Sequence, residues 1–249
     1  MKKMFFLCAA LLCSSVLCAQ NDDPVALPKP DFKAKSKSMI QTLRDRHSVR
    51  EYKDKALEMQ QISTLCWAAC GISRDENHIT SPTAMNRQEI SLYVFTDKVV
   101  YLYVPKKNAL LPVAKGDHRK LFVKNGNEEM QRRSFDRGLK AKDDKDQKKG
   151  PEGNDSARKN DKGQEWVTDA PVVLLMVIDF EKLGNMDERT TKLGYIDAGI
   201  VSENINLYCE SVGLATVPRV TMNIYELTRL LHLNKYQVTA INNPVGYAR

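Results

Sequence analysis

Two short clusters of residues carry side chains that could bind an anion and a heterocycle. The first is Arg46-His47-Ser48-Val49-Arg50, in which alternate residues share one face if the chain is extended. Two guanidiniums with a hydroxyl and an imidazole make a compact anion site, and guanidinium forks match phosphate oxygens in a bidentate manner. Taken alone, however, such a cluster is more often a charged helix exit than a binding site.

The second cluster spans residues 81–88 and reads S-P-T-A-M-N-R-Q. Pro82 stiffens this loop, and the amide of Asn86 can donate and accept hydrogen bonds at once. That property suits the edge of a heterocycle that bears both an N–H and a carbonyl. An isolated loop of this type is usually a capped turn, so its meaning depends on what surrounds it.

Several helices and strands have to position these clusters. A helix is predicted to begin near Ser38, with Met39, Ile40 and Leu43 as its apolar face, and a second helix fits residues 58–69 with Gly71 as its C-cap. Residues 90–95 and 99–104 favour two strands joined by a turn. Residues 171–179 are almost entirely apolar, which predicts a central strand that is covered on both faces.

The C-terminal part of the chain begins with the longest helical pattern, residues 195–211, which Gly213 should end. Small residues on a second face of this helix would let it lie deep in the fold or pack closely on a partner. A further helix over 224–233 and a closing strand over 238–247 follow. Helices and strands mix without strict alternation, so the predicted fold class is α+β.

The first nineteen residues have the layout of a secretory signal peptide, with two lysines, an apolar run and a polar exit. The run is too short to span a bilayer comfortably, so we expect no stable membrane anchor. The mature protein is then expected in the periplasm. Prolines and lysines over residues 20–37 predict a flexible lead without regular structure, followed by a single domain over 38–249.

The formal charge is +7, and it falls to +5 once Lys2 and Lys3 leave with the signal peptide. This charge is diffuse and no nucleic-acid motif accompanies it, so no nucleic-acid partner is expected. A charged tract over 124–164 has too few apolar residues to offset the entropy of ordering, which predicts an inserted surface loop. A short helix over 128–139 and a functional lid are the alternatives within it.

Three cysteines remain after signal removal: Cys66, Cys70 and Cys209. Cys66 and Cys70 would share a helix face, where the geometry suits a disulfide poorly. They are therefore interpreted as small core residues, with a redox pair as the alternative. No Cys/His spacing is typical of zinc, so no metal site is expected.

Four motifs in order resemble the FMN-dependent nitroreductase superfamily. R-H-S-x-R is similar to its phosphate-binding segment, and S-P-T-A-M-N-R-Q to its S-P-S-x-x-N-x-Q loop. D-A-G-x-x-x-E-N-x-x-L with G-L-A-T-V-P resembles its central helix and the flavin-contacting segment that follows. P-V-G-Y-A resembles its closing P-V-G-Y-P. The hairpin after the second motif resembles the one in the branch of the family near the thiazole-forming dehydrogenases.

The resemblance implies a central mixed or antiparallel sheet flanked by helices, in an intertwined homodimer with FMN at the subunit interface. Arg46, His47, Ser48 and Arg50 would hold the phosphate and ribityl end. The other implied contacts are Pro82, Thr83 and Ala84 from the second subunit, Asn86 close to them, and Pro218, Val220 and Thr221 beside the ring. The chemistry would belong to the flavin, with small-molecule electron donors and acceptors and no catalytic side chain.

Departures from the family pattern keep other functions open. Arg219 and Val220 stand where small or acidic residues are common, Glu203 stands where Gln is usual, and the basic tail of many relatives is missing, although Arg249 could substitute for it. The Lys-Tyr pair of the thiazole-forming branch is not clearly present. A non-catalytic module that binds a flavin or another planar ligand is therefore one alternative. Adhesion through the charged tract is another.

Overall fold

The computed structural model describes residues 23–123 and 164–249. Within them, seven strands form one sheet whose neighbouring strands are all antiparallel. The strands are β1 (Val25–Ala26), β2 (Ile90–Phe95), β3 (Val99–Val104), β4 (Ala109–Lys115), β5 (Val172–Asp179), β6 (Leu214–Thr216) and β7 (Gln237–Tyr247). Their order across the sheet is β1-β4-β3-β2-β5-β7-β6.

Helices cover this sheet on both faces. They are α1 (Met39–Asp45), α2 (Met59–Cys70), α3 (Phe180–Leu183), α4 (Glu188–Val212) and α5 (Ile224–Leu230). Among the described residues α4 is the longest helix, and α2 and α4 pack on the same face of the sheet. Together with the sheet they confirm the predicted α+β fold, with an antiparallel sheet.

Strand β5 lies at the centre of two hydrophobic cores. Leu174 and Met176 pack into the core beneath α2 and α4, whereas Val173 and Leu175 pack into the opposite core with α5. Successive side chains of a strand point to opposite faces, so a strand buried on both faces needs an unbroken apolar run. The prediction of a central strand over 171–179 is confirmed.

Helix α4 begins seven residues before its predicted start. Asp187 caps its N-terminus by accepting from the N–H of Thr190, and Gly213 ends it in the left-handed region at φ +75°. Gly194, which the sequence pattern placed before the helix, lies inside it. A Cβ at this position would come within 2.6 Å of Ile178 Cγ2, so the glycine permits close packing on β5.

The lead was predicted to lack regular structure, and its described part, residues 23–37, corrects that prediction. Val25–Ala26 forms strand β1 against β4, and Ser63 donates to the carbonyl of Pro28 at 2.5 Å. The N–H of Asp31 donates to Thr64 Oγ1 at 3.0 Å. Prolines exclude regular helix but not edge pairing or side-chain contacts, and these contacts fix the segment along α2.

Helix α1 is confirmed, with Ser38 as its N-cap, but its apolar face is not in the core. Met39, Ile40 and Leu43 are all exposed in the single chain, and Ile40 retains 76% of its accessible surface. Helical periodicity identifies which residues share a face but not what covers them. Such an exposed apolar face is typical of a surface that a partner covers.

The interpretation of the cysteines as core residues is confirmed. All three are buried free thiols, and burial raises the pKa of Cys70 to about 12. The predicted signal peptide, the first residues of the lead and nearly all of the predicted 124–164 insertion, with its alternative helix over 128–139, lie outside the described residues. In the described part of the chain no helix is long and apolar enough to cross a membrane.

Candidate functional site

The arginine cluster leaves helix α1 and runs along the edge of the sheet; residues 46–50 are called the cradle segment below. The N–H of Arg46 donates to Thr42 O at 2.9 Å and closes the helix. The N–H of Val49 then donates to Thr216 O at 3.1 Å, at the end of β6. These bonds hold the cradle segment beside the start of the 217–221 stretch.

Two acidic groups near the cradle segment, Asp45 and Glu210, are already paired with other cations. Asp45 contacts Lys37 at 3.3 Å and Arg44 at 2.8 Å, and the same Lys37 is paired with Glu210. The Arg44 and Lys37 contacts lower the pKa of Asp45. Both carboxylates are therefore largely neutralised before the cradle arginines are considered.

Arg46 and Arg50 have no ion pair or side-chain hydrogen bond within the described residues. Arg46 is half-buried, and Arg50 is exposed. Ser48 is exposed as well, and the imidazole Nδ1 of His47 lies 4.0 Å from Glu210. Two unpaired guanidiniums on one short segment form an electrostatic site for an anion such as a phosphate.

The chain ends next to the cradle segment. Tyr52 forms a β-bridge with Ala248, and the N–H of Arg249 donates to Glu51 O at 3.2 Å. A third arginine therefore starts from backbone adjacent to Arg50.

The 217–221 stretch follows β6 directly and points its side chains alternately outward and inward. Pro218 and Val220 face solvent, and Val220 retains 73% of its accessible surface. Arg219 turns inward, and its backbone N–H donates to Asn242 O at 2.8 Å. Among the described residues, the N–H groups of Val220 and Thr221 have no acceptor. Residues 217–221, called the rim below, therefore offer apolar surface and free N–H donors beside the cradle segment.

The buried side chain of Arg219 ties together three parts of the chain. It donates to Asn242 Oδ1 at 3.1 Å and to Phe122 O at 2.9 Å, and it also contacts Gln164. Its guanidinium lies 5.1 Å from the centre of the Trp166 ring. Phe122 lies near the end of the first described stretch and Gln164 begins the second, so Arg219 joins both stretches to residues 217–221. Sequence reasoning had treated Arg219 only as a departure from a family pattern.

The 81–88 loop is a compact turn held by its own side chains. Thr83 Oγ1 accepts from the N–H of Gln88 at 3.0 Å, and the Asn86 amide donates to Asn77 O at 3.0 Å. The N–H of Ala84 donates to Asp197 Oδ2 at 2.7 Å, which fastens the loop to α4. Pro82 remains exposed at its tip.

The structure brings the cradle segment and the rim together but keeps the 81–88 loop away from both in a single chain. The loop is fastened at Asp197, whereas the cradle segment lies beyond Gly213, at the end of the same helix. Sixteen helical residues at about 1.5 Å each separate these points by roughly 24 Å. The loop can complete the same site only if a second copy of the chain supplies it.

Sequence reasoning missed two buried polar groups near these segments. Asn243 accepts from Ser202 at 2.7 Å and donates to Asn206 at 3.1 Å, which joins β7 to α4. Glu89 is fully buried next to Asp197, and burial with the neighbouring carboxyl raises its pKa. Two adjacent asparagines at 242–243 in an otherwise apolar strand could have indicated a buried polar role for Asn243. Nothing in the sequence indicated that Glu89 is buried.

No group of His, Cys, Asp or Glu in residues 23–123 and 164–249 is arranged to hold a metal ion. The protein donors at the site are guanidiniums, hydroxyls and backbone N–H groups. These groups suit an organic anion rather than a cation.

Residues 43–247 match the model of the nitroreductase family. A provisionally named nitroreductase of Methanocaldococcus jannaschii is 23% identical over 208 residues, which cover 81% of this chain and 86% of that protein. The FMN reductase (NAD(P)H) of Bacillus subtilis is 38% identical over 89 residues, which cover only 30% of this chain and 36% of that protein.

Solved structures share the fold. The structure of a provisionally named nitroreductase from Ralstonia eutropha JMP134 superimposes with a TM-score of 0.69 at 23% identity and covers 92% of this chain and 91% of its own. At that identity the likeness shows the fold alone. The family match, which spans most of the sequence, shows more: this chain belongs to the nitroreductase family.

Proposed function

We propose that the protein is an FMN-dependent oxidoreductase that works as a homodimer. It passes hydride or electrons from a small-molecule donor to an aromatic or conjugated acceptor, such as a nitroaromatic, a quinone or an enone. One observation carries the proposal: the unpaired guanidiniums of Arg46 and Arg50 lie on the same sheet edge as a rim with free N–H donors. Membership of the nitroreductase family supports oxidoreductase chemistry in general.

The hydrogen-bond donors of the cradle segment and the rim fit both the phosphate and the ring of FMN. Arg46 and Arg50 match a phosphate, because guanidiniums bind it through paired hydrogen bonds and full charge. The N–H groups of Val220 and Thr221 match the ring, whose edge is rich in acceptors. Among the described residues no carboxylate is paired with either arginine, and Lys37 is paired with Asp45 and Glu210.

When bound, FMN supplies the hydride and electron transfer. The chain would bind and orient it: the cradle segment would hold the phosphate, and the N–H groups of residues 220–221 would hold the ring. Pro82, Thr83 and Ala84 of a second copy, with Asn86 close by, would cover the ring and exclude water. A small-molecule donor and then an acceptor would bind beside it in turn.

An absorbance spectrum of the purified protein tests the cofactor assignment. The expected result is a yellow protein with flavin bands that bleach on addition of a reductant, and FMN in the mass spectrum of the released ligand. Colourless protein that also fails to take up added FMN contradicts the proposal.

Turnover separates this function from the alternative of a non-catalytic binding module. The substituted rim, with Arg219 turned into the fold and Val220 exposed, is the observation that favours the alternative. Oxidation of reduced flavin by any member of a panel of nitroaromatics, quinones and enones removes it. Bound FMN without turnover across a broad donor and acceptor panel supports it.

Export to the periplasm is a separate proposal that rests on the signal-peptide pattern of residues 1–19. Reduced nicotinamides are scarce outside the cytoplasm, so an exported enzyme needs another electron donor. The intact mass of the protein from periplasmic and whole-cell fractions tests export. A mature chain that starts near Gln20 in the periplasmic fraction is expected, and full-length chain confined to the cytoplasm contradicts it.

A further inference from the structure

A buried pair of carboxyl groups lies at the base of the 81–88 loop. Glu89 is fully buried between this loop and β2, and Asp197 on α4 is only 5% exposed. Neither carboxyl oxygen of Glu89 receives a hydrogen bond from a protein donor. Burial of a carboxyl that receives no hydrogen bond disfavours its charged form. The geometry therefore favours a neutral acid at this point.

The charged groups that face Glu89 come from two helices. Asp197 approaches from α4 and disfavours a charge on Glu89, whereas Lys182 approaches from α3 and favours it. The ammonium of Lys182 is already engaged with Gln88 O at 3.0 Å. Burial and Asp197 outweigh Lys182 and raise the pKa of Glu89 to about 8.

The same Asp197 fastens the loop. Its Oδ2 accepts the N–H of Ala84 at 2.7 Å. Met85, Asn86 and Gln88 all have positive φ, a region that costs energy for residues other than glycine. A loop with three such residues keeps its shape only while its anchors hold.

We propose that protonated Glu89 is a positioning residue, which donates to Asp197 and so keeps the 81–88 loop in the shape that covers the flavin of a second copy. This inference rests on the proposed function. Glu89 touches neither cofactor nor substrate; it acts through Asp197 and the N–H of Ala84. When Glu89 loses its proton, two adjacent buried charges repel, and the Asp197–Ala84 contact weakens.

The direction of the pH effect follows from the raised pKa. A carboxyl whose pKa is higher in the folded state than in the unfolded state stabilises the fold fully below its unfolded value of 4.5. That contribution is lost as the pH rises through the folded value near 8. Both loop order and FMN affinity should therefore decline between about pH 7 and 9.

The test compares the wild type with Glu89→Gln, because the amide keeps the shape and a donor but does not ionise. Glu76→Gln, in an exposed loop, is the matched control. The wild type and the control should lose FMN affinity above pH 8 by at most about tenfold per pH unit, the limit for one proton. Glu89→Gln should bind FMN equally from about pH 7.5 to 9, where the FMN phosphate is already fully ionised. Wild-type binding that does not change with pH overturns the proposal.

Hydrogen exchange of the 83–88 amides in the apoprotein provides a readout that needs no flavin. Relative to Glu89→Gln at the same pH, wild-type exchange should become faster as the pH rises. Equal exchange in the two proteins overturns the proposal even if FMN binds. Glu89-dependent exchange in a protein that never binds FMN removes the proposed function but supports the role of Glu89 in holding the loop.

Asp197→Asn serves if Glu89→Gln does not fold. Its amide can accept from the N–H of Ala84 and donate to ionised Glu89, so Glu89 no longer needs its proton. The onset of faster exchange should then move to lower pH or disappear. An onset unchanged from the wild type contradicts the role of the pair.

Discussion

Among single residues, the two arginines of the cradle segment matter most for binding an anion. Arg46 and Arg50 remain available for an anion because Lys37, rather than either arginine, pairs with Asp45 and Glu210. A guanidinium that is already partnered by a carboxylate gains little from a phosphate, whereas an unpartnered one gains a charge-assisted bond. The pairing of Lys37 is therefore part of the site.

Arg46→Ala and Arg50→Ala should each weaken FMN binding by roughly 10–100-fold, because a hydrogen bond to a charged group contributes about 1.5–3 kcal/mol. Riboflavin, which lacks the phosphate, should bind the variants and the wild type equally. Titration by flavin fluorescence quenching measures both affinities.

Lys53→Ala is the matched control, because it removes an exposed cation close to the cradle segment. It should leave FMN affinity nearly unchanged, since exposed charges without direct contact are screened by salt. If the arginine variants lose riboflavin and FMN to the same extent, the two arginines do not bind the phosphate.

Residue types and spacing marked the cradle segment as a candidate, but only its order with the other family motifs favoured a binding site over a charged helix exit. They gave no such indication for Glu89, which stands alone before an apolar run and could equally begin an exposed strand. Only the position of Asp197 on α4 makes it a buried pair. Contacts between residues far apart in sequence leave no local pattern.

At the element scale the fold follows from packing against β5 and α4. The strands with clear apolar runs were predicted, and so was the cap at Gly213. Strand β4 was missed because Pro112 interrupts it, and β1 because it is two residues long amid prolines. Helix α4 was predicted too short because Gly194 was taken for a boundary. A glycine that permits close packing and one that ends a helix look alike in a sequence.

Gly194→Ala should destabilise the protein by about 1–3 kcal/mol, because a methyl group there overlaps Ile178 on β5. Gly199→Ala, in the same helix, meets nothing within 4 Å in the single chain. It should be neutral or stabilising by about 0.5–1 kcal/mol through helix propensity. Urea unfolding of both variants at one protein concentration measures the difference. Equal effects contradict the packing role of Gly194.

At the scale of the whole molecule, two observations point to a second copy. The 81–88 loop is fastened roughly 24 Å along α4 from the cradle segment. Helix α1 exposes Met39, Ile40 and Leu43 on one face. A partner that covers apolar surface and supplies a loop accounts for both observations. The periodicity of apolar residues could not predict which surface a partner covers, because it does not distinguish a core from an interface.

Ile40→Lys should shift the protein from dimer to monomer and lower its flavin content, because it places a charge on the face that we expect to be covered. Tyr225→Lys is the control: it changes another exposed large residue, on α5, which packs on the other face of the sheet. Sedimentation velocity measures the association state. A dimer that survives Ile40→Lys with its flavin intact places the interface elsewhere.

Mixing two defective variants tests most directly the claim that two copies form one site. One variant carries Arg46→Ala and Arg50→Ala, and the other carries Pro82→Trp, which changes an exposed loop residue so that it blocks a partner's site. Each variant alone should bind FMN poorly. After unfolding and refolding together, every mixed dimer should contain one intact site, so FMN binding should reappear. If the mixture binds no more FMN than the separate variants, the site does not form across two chains.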